Sequence, residues 1–355
     1  MKPFKSAPTS AGADFWKKKE IVSFLLSILV FFIHISSIAQ YGQIQDSMSE
    51  INRFFSKVVH DCFTKYAVPL YFIIAGALFF RDYEDKKYVD KLKTRIRSIL
   101  IPYLVWNTLW MLFDIITSYS FLSQFFIARE KFTLSFTSVL EAIFHHKCNG
   151  AFWFLFNLMF FIVLSPVIDK LIRNRYIGIA VTAAVAVLCL FHIGLPEAVF
   201  FSQPSIVYYL IGAIIGKHYF EGFCKKSSRI TQIISLIILM GAAVLFYFSG
   251  LIQNTAFYMF ILVPCAWAFW NVADLFVHRL PSLTIYKNSF AIYAMHINVS
   301  SVIAKSLFLL LPKSGWMAIP NFILTLVLTL LFIFLFCHTL NKWLPKVYRL
   351  MIGGR

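Results

Sequence analysis

Charged residues are scarce in this 355-residue chain: Asp, Glu, Lys and Arg make up 14% of it, and only 16 residues are acids. Globular domains carry about 25% charged residues, and a soluble chain of this length has too little interior for a composition that is 59% hydrophobic. A water-soluble globule is excluded. Glycine and proline are ordinary at 14 and 12, and no segment repeats with a period of about 20 to 50 residues, which excludes disordered and solenoid architectures. The six cysteines include no CxxC spacing of the kind zinc or redox sites use. Also missing are a P-loop, a GxGxxG opening a helix after a strand, an HExxH and a GxSxG elbow. His145 and His146 form a doublet without a recognised metal-ligand spacing around it, so exposed loop histidines rather than a metal site are expected. Alternating strand patterns are absent, which excludes a membrane barrel.

Apolar residues are abundant: 40 Phe outnumber the 33 Lys plus Arg, and the mean hydropathy is +0.74. A bilayer core requires about 20 apolar residues per helix. Ten runs approach that length, at Ile21 to Ala39, Cys62 to Phe80, Ser98 to Ser118, Ala151 to Ile172, Tyr176 to Gly194, Pro204 to Phe220, Ile230 to Gly250, Thr255 to Phe276, Ser289 to Leu311 and Trp316 to Leu340. The expected fold is all-α: a polytopic membrane bundle of about ten transmembrane helices over 21–340, with a basic N-terminal segment at 1–20 and a tail at 341–355. The first run follows Lys17, Lys18 and Lys19 and reads as a retained helix rather than a cleaved signal.

A net charge of +17 would, in a soluble protein, suggest a nucleic-acid partner. Sorting the bases by side changes that reading. With the run-end lysines Lys65, Lys170 and Lys217 counted in the segments they adjoin, one side of the ten runs holds 25 Lys and Arg and the other holds seven, with Lys305 inside the ninth run. The rich side includes both ends of the chain, so by the positive-inside rule both termini are cytoplasmic. The partner of this surface is the lipid bilayer, and no nucleic acid is expected.

Ionisable groups at membrane depth are costly and mark candidate sites. His34 lies about fourteen residues into the first run, roughly 20 Å from the inner surface by helical rise. Ser23, Ser27, His34 and Ser37 recur at spacings of 4, 7 and 3, which places them on one helix face. A neutral imidazole there suits a general base for a hydroxyl, while a histidine bridging two helices is the structural alternative. Counting along the third and ninth runs puts Asp114 and Lys305 at the same depth, either as a helix-joining ion pair or as proton-handling groups. Trp153 and Asn157 approach that depth from the outer end of the fourth run, and His296 lies nearer the midplane of the ninth. Asn107, Asp169, Asn271 and Asp274 lie further inward, as polar glue between helices.

Two outer connections are long, Tyr41 to Asp61 and Phe121 to Gly150, and suit recognition outside the membrane or a lid over the bundle. On the inner side seven bases lie between Arg81 and Arg97, as a solvated lipid-facing anchor or as a docking platform for a polyanionic donor. Cys62 and Cys148 both map to the outer side, where a disulfide is geometrically conceivable.

Several segments carry a resemblance in order and spacing. They are LLSILVFFIHISS, FTKYAVPLYFIIAGALFF, RIRSILIPYLVW, NGAFWFLFNLMFFIVLSP, SIVYYLIGAIIG and FAIYAMHI. Together they resemble the acyltransferase-3 family of integral membrane acyltransferases, whose bacterial members O-acylate cell-surface glycans. The resemblance implies a multi-pass plasma-membrane enzyme, most simply an O-acetyltransferase. It would move an acyl group from cytoplasmic acyl-CoA, expected as acetyl-CoA, to a hydroxyl of a surface or lipid-linked glycan. No tightly bound cofactor is implied. His34 takes the place of the family's essential histidine, as a base or as an acyl relay, and His296 keeps the family's Tyr-x-x-His element. The family's arginine eleven residues before the histidine is Ser23 here, its second-helix arginine is Lys65 and its serine is Ala75. Donor handling then falls to Lys65, to Lys19 and Lys18, or to Arg95 and Arg97. Two other readings of the same polar residues stand beside this one. One is a proton-coupled secondary transporter using His34, Asp114 and Lys305, although no inverted repeat is visible. The other is a catalytically silent membrane partner of the same fold.

Overall fold

The structure, a computed structural model, describes residues 10–35, 44, 46–120, 131–191, 203–248, 255–277 and 279–354. Among them every regular element is helical. In chain order the α-helices are α1 (Ser10–His34), α2 (Ser49–Lys57), α3 (Ala67–Phe80), α4 (Tyr88–Arg95), α5 (Ile101–Tyr119), α6 (Phe136–Phe144), α7 (Trp153–Val163), α8 (Ser165–Ile172), α9 (Arg175–Leu190), α10 (Gln203–His218), α11 (Phe220–Cys224), α12 (Arg229–Phe248), α13 (Thr255–Val272), α14 (Ser289–Leu310), α15 (Ala318–Trp343) and α16 (Pro345–Met351). Among the described residues five helical stretches are long and apolar enough to cross a bilayer: Asp85–Tyr119, Arg229–Phe248, Tyr258–Leu275, Thr284–Leu310 and Gly315–Trp343. Their outer faces are apolar. On α12, Ile230, Ile233, Ile237, Met240, Val244 and Phe248 are exposed at spacings of three and four, the stripe a lipid-facing helix presents.

Prolines decide where the apolar runs break. The run from Ala151 to Ile172 bends by 66° between α7 and α8, where Pro166 opens α8 and its ring is incompatible with the preceding turn. Pro69 lies in the first turn of α3, where a missing N–H is tolerated. That helix therefore begins at Ala67, later than the run that contains it, after a π-helical turn at Val58–Cys62. Pro102 follows a second π-helical turn, Ile96–Leu100, and the rod from Asp85 to Tyr119 passes through it without a break.

Two devices hold the helices together where lipid offers no hydrophobic drive. The first is close backbone approach between α3 and α10. A Cβ on Gly76 would lie 2.5 Å from the Tyr209 carbonyl oxygen, and at Gly212 and Gly216 it would strike the carbonyl oxygens of Ile73 and Ala77. Gly212 and Gly216 are one turn apart, so the contact repeats along a single ridge. The second is a row of donors on α5. Tyr103 donates to the Phe144 carbonyl at 2.7 Å and Asn107 to that of Ile143 at 3.0 Å, occupying acceptors that the end of α6 leaves open. Trp106 donates to the Met351 carbonyl of α16 and Trp110 to the Ala294 carbonyl of α14, both at 3.0 Å.

Helix α1 is set by an ion pair inside the bundle. Lys18 Nζ lies 2.9 Å from Asp274 Oδ1, with both side chains buried, and sits 4.4 Å from the Trp270 ring centroid. The second carboxylate oxygen of Asp274 accepts from the Ser227 N–H at 2.9 Å and from its hydroxyl at 2.8 Å. A buried charge pair is tolerated when its remaining lone pairs are satisfied in this way. Asp169 plays a similar part between α8 and α10, 2.5 Å from Lys217 Nζ. Cys62 and Cys148 are buried and are not joined in a disulfide.

Two outcomes follow for stability, read from thermal melts of the purified protein in detergent. Gly212→Ala overpacks the α3–α10 contact and destabilises by about 1–3 kcal/mol, while Gly241→Ala, which meets nothing within 4 Å, leaves the melt unchanged. Lys18→Met leaves Asp274 buried without its cation and destabilises by about 3–5 kcal/mol. Combining it with Asp274→Leu restores at least about 1 kcal/mol relative to the sum of the single changes; additive losses would show that the two side chains are not coupled.

Candidate functional site

A cavity of about 510 Å³ runs between α1, α3, α7, α10 and the start of α14. Its volume is in the lower half of the usual range for small-molecule sites, about 300–1,000 Å³. At one end it is lined by Trp16, Lys19, Arg81 and Arg95, and at the other by His34 and Trp153. Lys19 precedes His34 by fifteen residues of one helix, about 22 Å of rise. Between these ends the wall is largely apolar, with Val30, Ile74, Ala75, Leu78, Leu155 and Leu158 among its residues.

The rotation of α1 gives this cavity its polar wall. Trp16, Lys19, Ser23, Val30 and His34 all line it, whereas Phe15, Lys18, Val22 and Leu26 are buried and outside the lining. Lys18, held by Asp274, therefore faces the bundle while Lys19 faces the cavity. Midway along the wall Ser27 lies 2.7 Å from the Tyr71 hydroxyl and donates to the Ser289 carbonyl at 3.0 Å. Tyr71 donates in turn to the Ser23 carbonyl. This network ties α1 to α3 and to the first residue of α14 at the depth where the cavity passes between them.

Cations dominate the other end, and among the described residues no acid lines the cavity. The Arg81 guanidinium lies 5.0 Å from the Trp16 ring centroid and its Nε is 2.8 Å from the exposed Asp82. Arg95 rests 5.6 Å from the Phe79 ring centroid and makes no ion pair among the described residues. The Tyr209 hydroxyl, buried and without a hydrogen-bond partner among the described residues, is close enough to Arg95 for the two groups to act on each other electrostatically. The acids of the neighbouring loop are occupied elsewhere. Lys87 and Lys86 hold the Glu84 carboxyl below the usual carboxylate range, and Asp85 meets Arg173 at 3.5 Å.

At the far end His34 is the last residue of α1, and its imidazole is open to the cavity. Its ring centroid is 5.2 Å from that of His296, which is fully buried. His296 Nδ1 lies 2.8 Å from the Tyr293 carbonyl oxygen and 3.1 Å from that of Ile292. Carbonyls only accept, so Nδ1 carries the hydrogen and Nε2 is left as an acceptor; that nitrogen has no partner among the described residues. His60 and Lys65 lie within electrostatic reach of His34. The opposite wall is fixed by loop 148–151, where Tyr293 donates to the Ala151 carbonyl at 2.6 Å, Asn149 to that of Ala294 at 3.0 Å and Asn298 to that of Cys148 at 3.2 Å.

Of the residues singled out from the sequence, His34, Lys19, Ser23, Arg95 and Trp153 line this one cavity. Ser27 and His296 stand directly behind its wall, and Asn157 is buried with its amide donating to the Trp153 carbonyl at 2.7 Å. Arg97 is exposed and outside the lining. Lys65 lies near His34, at the end opposite Arg95. Asp114 and Lys305 are not lining residues. Trp110 meets the Ala294 carbonyl, so Asp114 lies a turn beyond that level. Lys305 is nine residues past His296, about 13 Å further along α14. Ser37 lies outside the described residues. Trp16, Tyr71, Arg81, Tyr209 and Tyr293 escaped the sequence reading as wall residues; Arg81 was visible within the basic run and Tyr293 within the Tyr-x-x-His element.

A family model for an acyltransferase domain matches residues 22–338, which include all the residues that line the cavity except Trp16 and Lys19. Neither a curated protein nor a solved structure shows a significant match to the chain. The apolar helices and the span of that match together identify the chain as a member of the acyltransferase-3 family, a membrane acyltransferase.

Proposed function

We propose that the protein is an O-acyltransferase of the plasma membrane. It takes acyl-CoA from the cytoplasm, most simply acetyl-CoA, and passes the acyl group to a hydroxyl of a surface or lipid-linked glycan. The observation that carries this reading is a cavity with three cations at one end and His34 at the other. A phosphorylated nucleotide does not enter hydrocarbon, but it suits clustered Lys and Arg at a membrane face. An extended pantetheine arm is on the order of 15–20 Å long, comparable to the rise from Lys19 to His34. The cavity has room for the arm and a short acyl group, with the nucleotide remaining at the mouth beside Lys19 and Arg95. Ten spans over 21–340, with 1–20 and 341–355 in the cytoplasm, accord with the 25 to seven distribution of bases.

In the proposed chemistry the acceptor hydroxyl reaches His34 from the outer side. A neutral His34 accepts the hydroxyl proton as the oxygen attacks the thioester carbonyl. The new C–O bond forms, the C–S bond breaks as the tetrahedral species collapses, and the thiolate leaves with the proton that His34 had taken. His296 has its hydrogen committed to backbone carbonyls, so its Nε2 lone pair is available to orient the His34 ring through that ring's N–H. Among these residues Trp153 and Asn157 shape the acceptor end, and Ser23, Ser27 and Tyr71 keep the α1 wall in register.

Two measurements test the reading. Inside-out vesicles supplied with acetyl-labelled acetyl-CoA transfer label to glycan, and His34→Ala lowers the initial rate by roughly 10²- to 10⁴-fold; transfer at the parent rate overturns the assignment of His34. For topology, a membrane-impermeant thiol reagent added to intact cells leaves Ser6→Cys and Gly354→Cys unlabelled until the cells are opened. Labelling of either from outside overturns the cytoplasmic placement of that terminus.

A further inference from the structure

The cavity mouth holds one feature that threading an acyl arm does not require, the indole of Trp16. It lines the cavity and remains 37% exposed even though the Arg81 guanidinium lies over its ring, 5.0 Å from the centroid. A tryptophan that served only as an interfacial anchor would turn its ring toward lipid headgroups. This one shares a wall with three cations.

Its setting is rigid. Phe15, beside it in the chain, is 3% exposed and meets Trp16 edge-on with centroids 5.3 Å apart. Phe15 also packs against Phe220 at 5.5 Å, Phe223 at 6.1 Å and Trp270 at 6.0 Å. Lys18, locked to Asp274 at 2.9 Å, prevents this turn of α1 from rotating. The indole is therefore presented to the mouth at little entropic cost, as a preorganised surface. Purine bases stack on aromatic faces and on guanidinium planes. A flat aromatic, an arginine over its ring and two further cations, Lys19 and Arg95, with no acid among the described lining residues, match a ligand that joins a base to several phosphates.

We propose that Trp16, layered with Arg81, is the platform for the purine of the donor nucleotide, with its phosphates meeting Lys19, Arg81 and Arg95. The inference rests on the reading of this cavity as the donor site and assigns the part of the donor that remains outside it. It also gives the N-terminal turn of α1 a binding role in addition to its structural one.

The test is equilibrium binding to the full-length protein in nanodiscs, with CoA, adenosine 3′,5′-bisphosphate, pyrophosphate and pantetheine as probes. Trp16→Ala is expected to raise Kd for CoA and for the bisphosphate about 5- to 100-fold, to leave pyrophosphate and pantetheine unchanged, and Trp16→Phe to retain most of the affinity. Equal CoA affinity in the parent and Trp16→Ala overturns the platform and leaves Trp16 an interfacial anchor, with the donor site intact. An equal loss for pyrophosphate also overturns it, because the effect then runs through Arg81 and its charge. If the parent binds neither CoA nor the bisphosphate, the donor reading itself fails. Should Trp16→Ala not fold, Trp16→Leu against Trp16→Phe makes the same comparison, since both keep apolar bulk and only one keeps an aromatic face.

Discussion

A helix in lipid has no hydrophobic reason to prefer one rotation about its axis, because hydrocarbon receives every apolar face equally well. In α1 that freedom is removed by one buried ion pair. Lys18 cannot leave Asp274 without stranding a charge in the bundle, and the hydrogen bonds from Ser227 make the carboxylate a poor partner for anything else. With the rotation set, Trp16, Lys19, Ser23 and His34 fall on the cavity side by helical periodicity alone. The ring contact between His34 and His296, 5.2 Å between centroids, marks the other end of the same registration.

The cavity that results is graded in polarity. Its cationic end is at the face where bases are concentrated, its middle is apolar, and its last group is the His34 imidazole. Such a gradient favours a ligand with a charged head and a neutral arm, and it disfavours free passage of an ion, for which an apolar middle section is a barrier. The backbone contact of α3 with α10 through Gly76, Gly212 and Gly216 brings Tyr209 to the wall beside Arg95. The architecture thus uses its smallest residues to place its largest polar ones.

Much of this was legible from residue order. His34 and Ser23 stand out because polar groups in an apolar run have nothing around them to blur the signal, and Lys19 and Arg95 because they belong to basic segments that flank the runs. Tyr71, Tyr209 and Tyr293 do not stand out in a chain that is 18% aromatic, where a tyrosine that lines a cavity and one that packs a core look alike. Asp114 and Lys305 are the opposite case, since neither is among the lining residues. Both are conspicuous, and counting along separate runs put them level with His34. Counting cannot know how far one helix slides against the next, and on α14 the residue that reaches His34 is His296, with Lys305 about 13 Å beyond it. Lys65 likewise read as a donor contact from its place in a motif, while the break before Pro69 leaves it at the end of the cavity where His34 lies.

Composition and periodicity were sufficient to determine that this chain forms helices in a membrane, which side its bases favour and which few polar groups its interior must shelter, because those properties depend on transfer energies and on the rise of a single helix. Tertiary structure alone decided which of those groups share a cavity. That outcome depends on the rotation, the axial offset and the bends of helices against one another. These are set by contacts such as Lys18 with Asp274, glycine against backbone in α3 and α10, and Pro166 at the 66° bend, between residues far apart in the sequence or at breaks whose angle no single helix specifies.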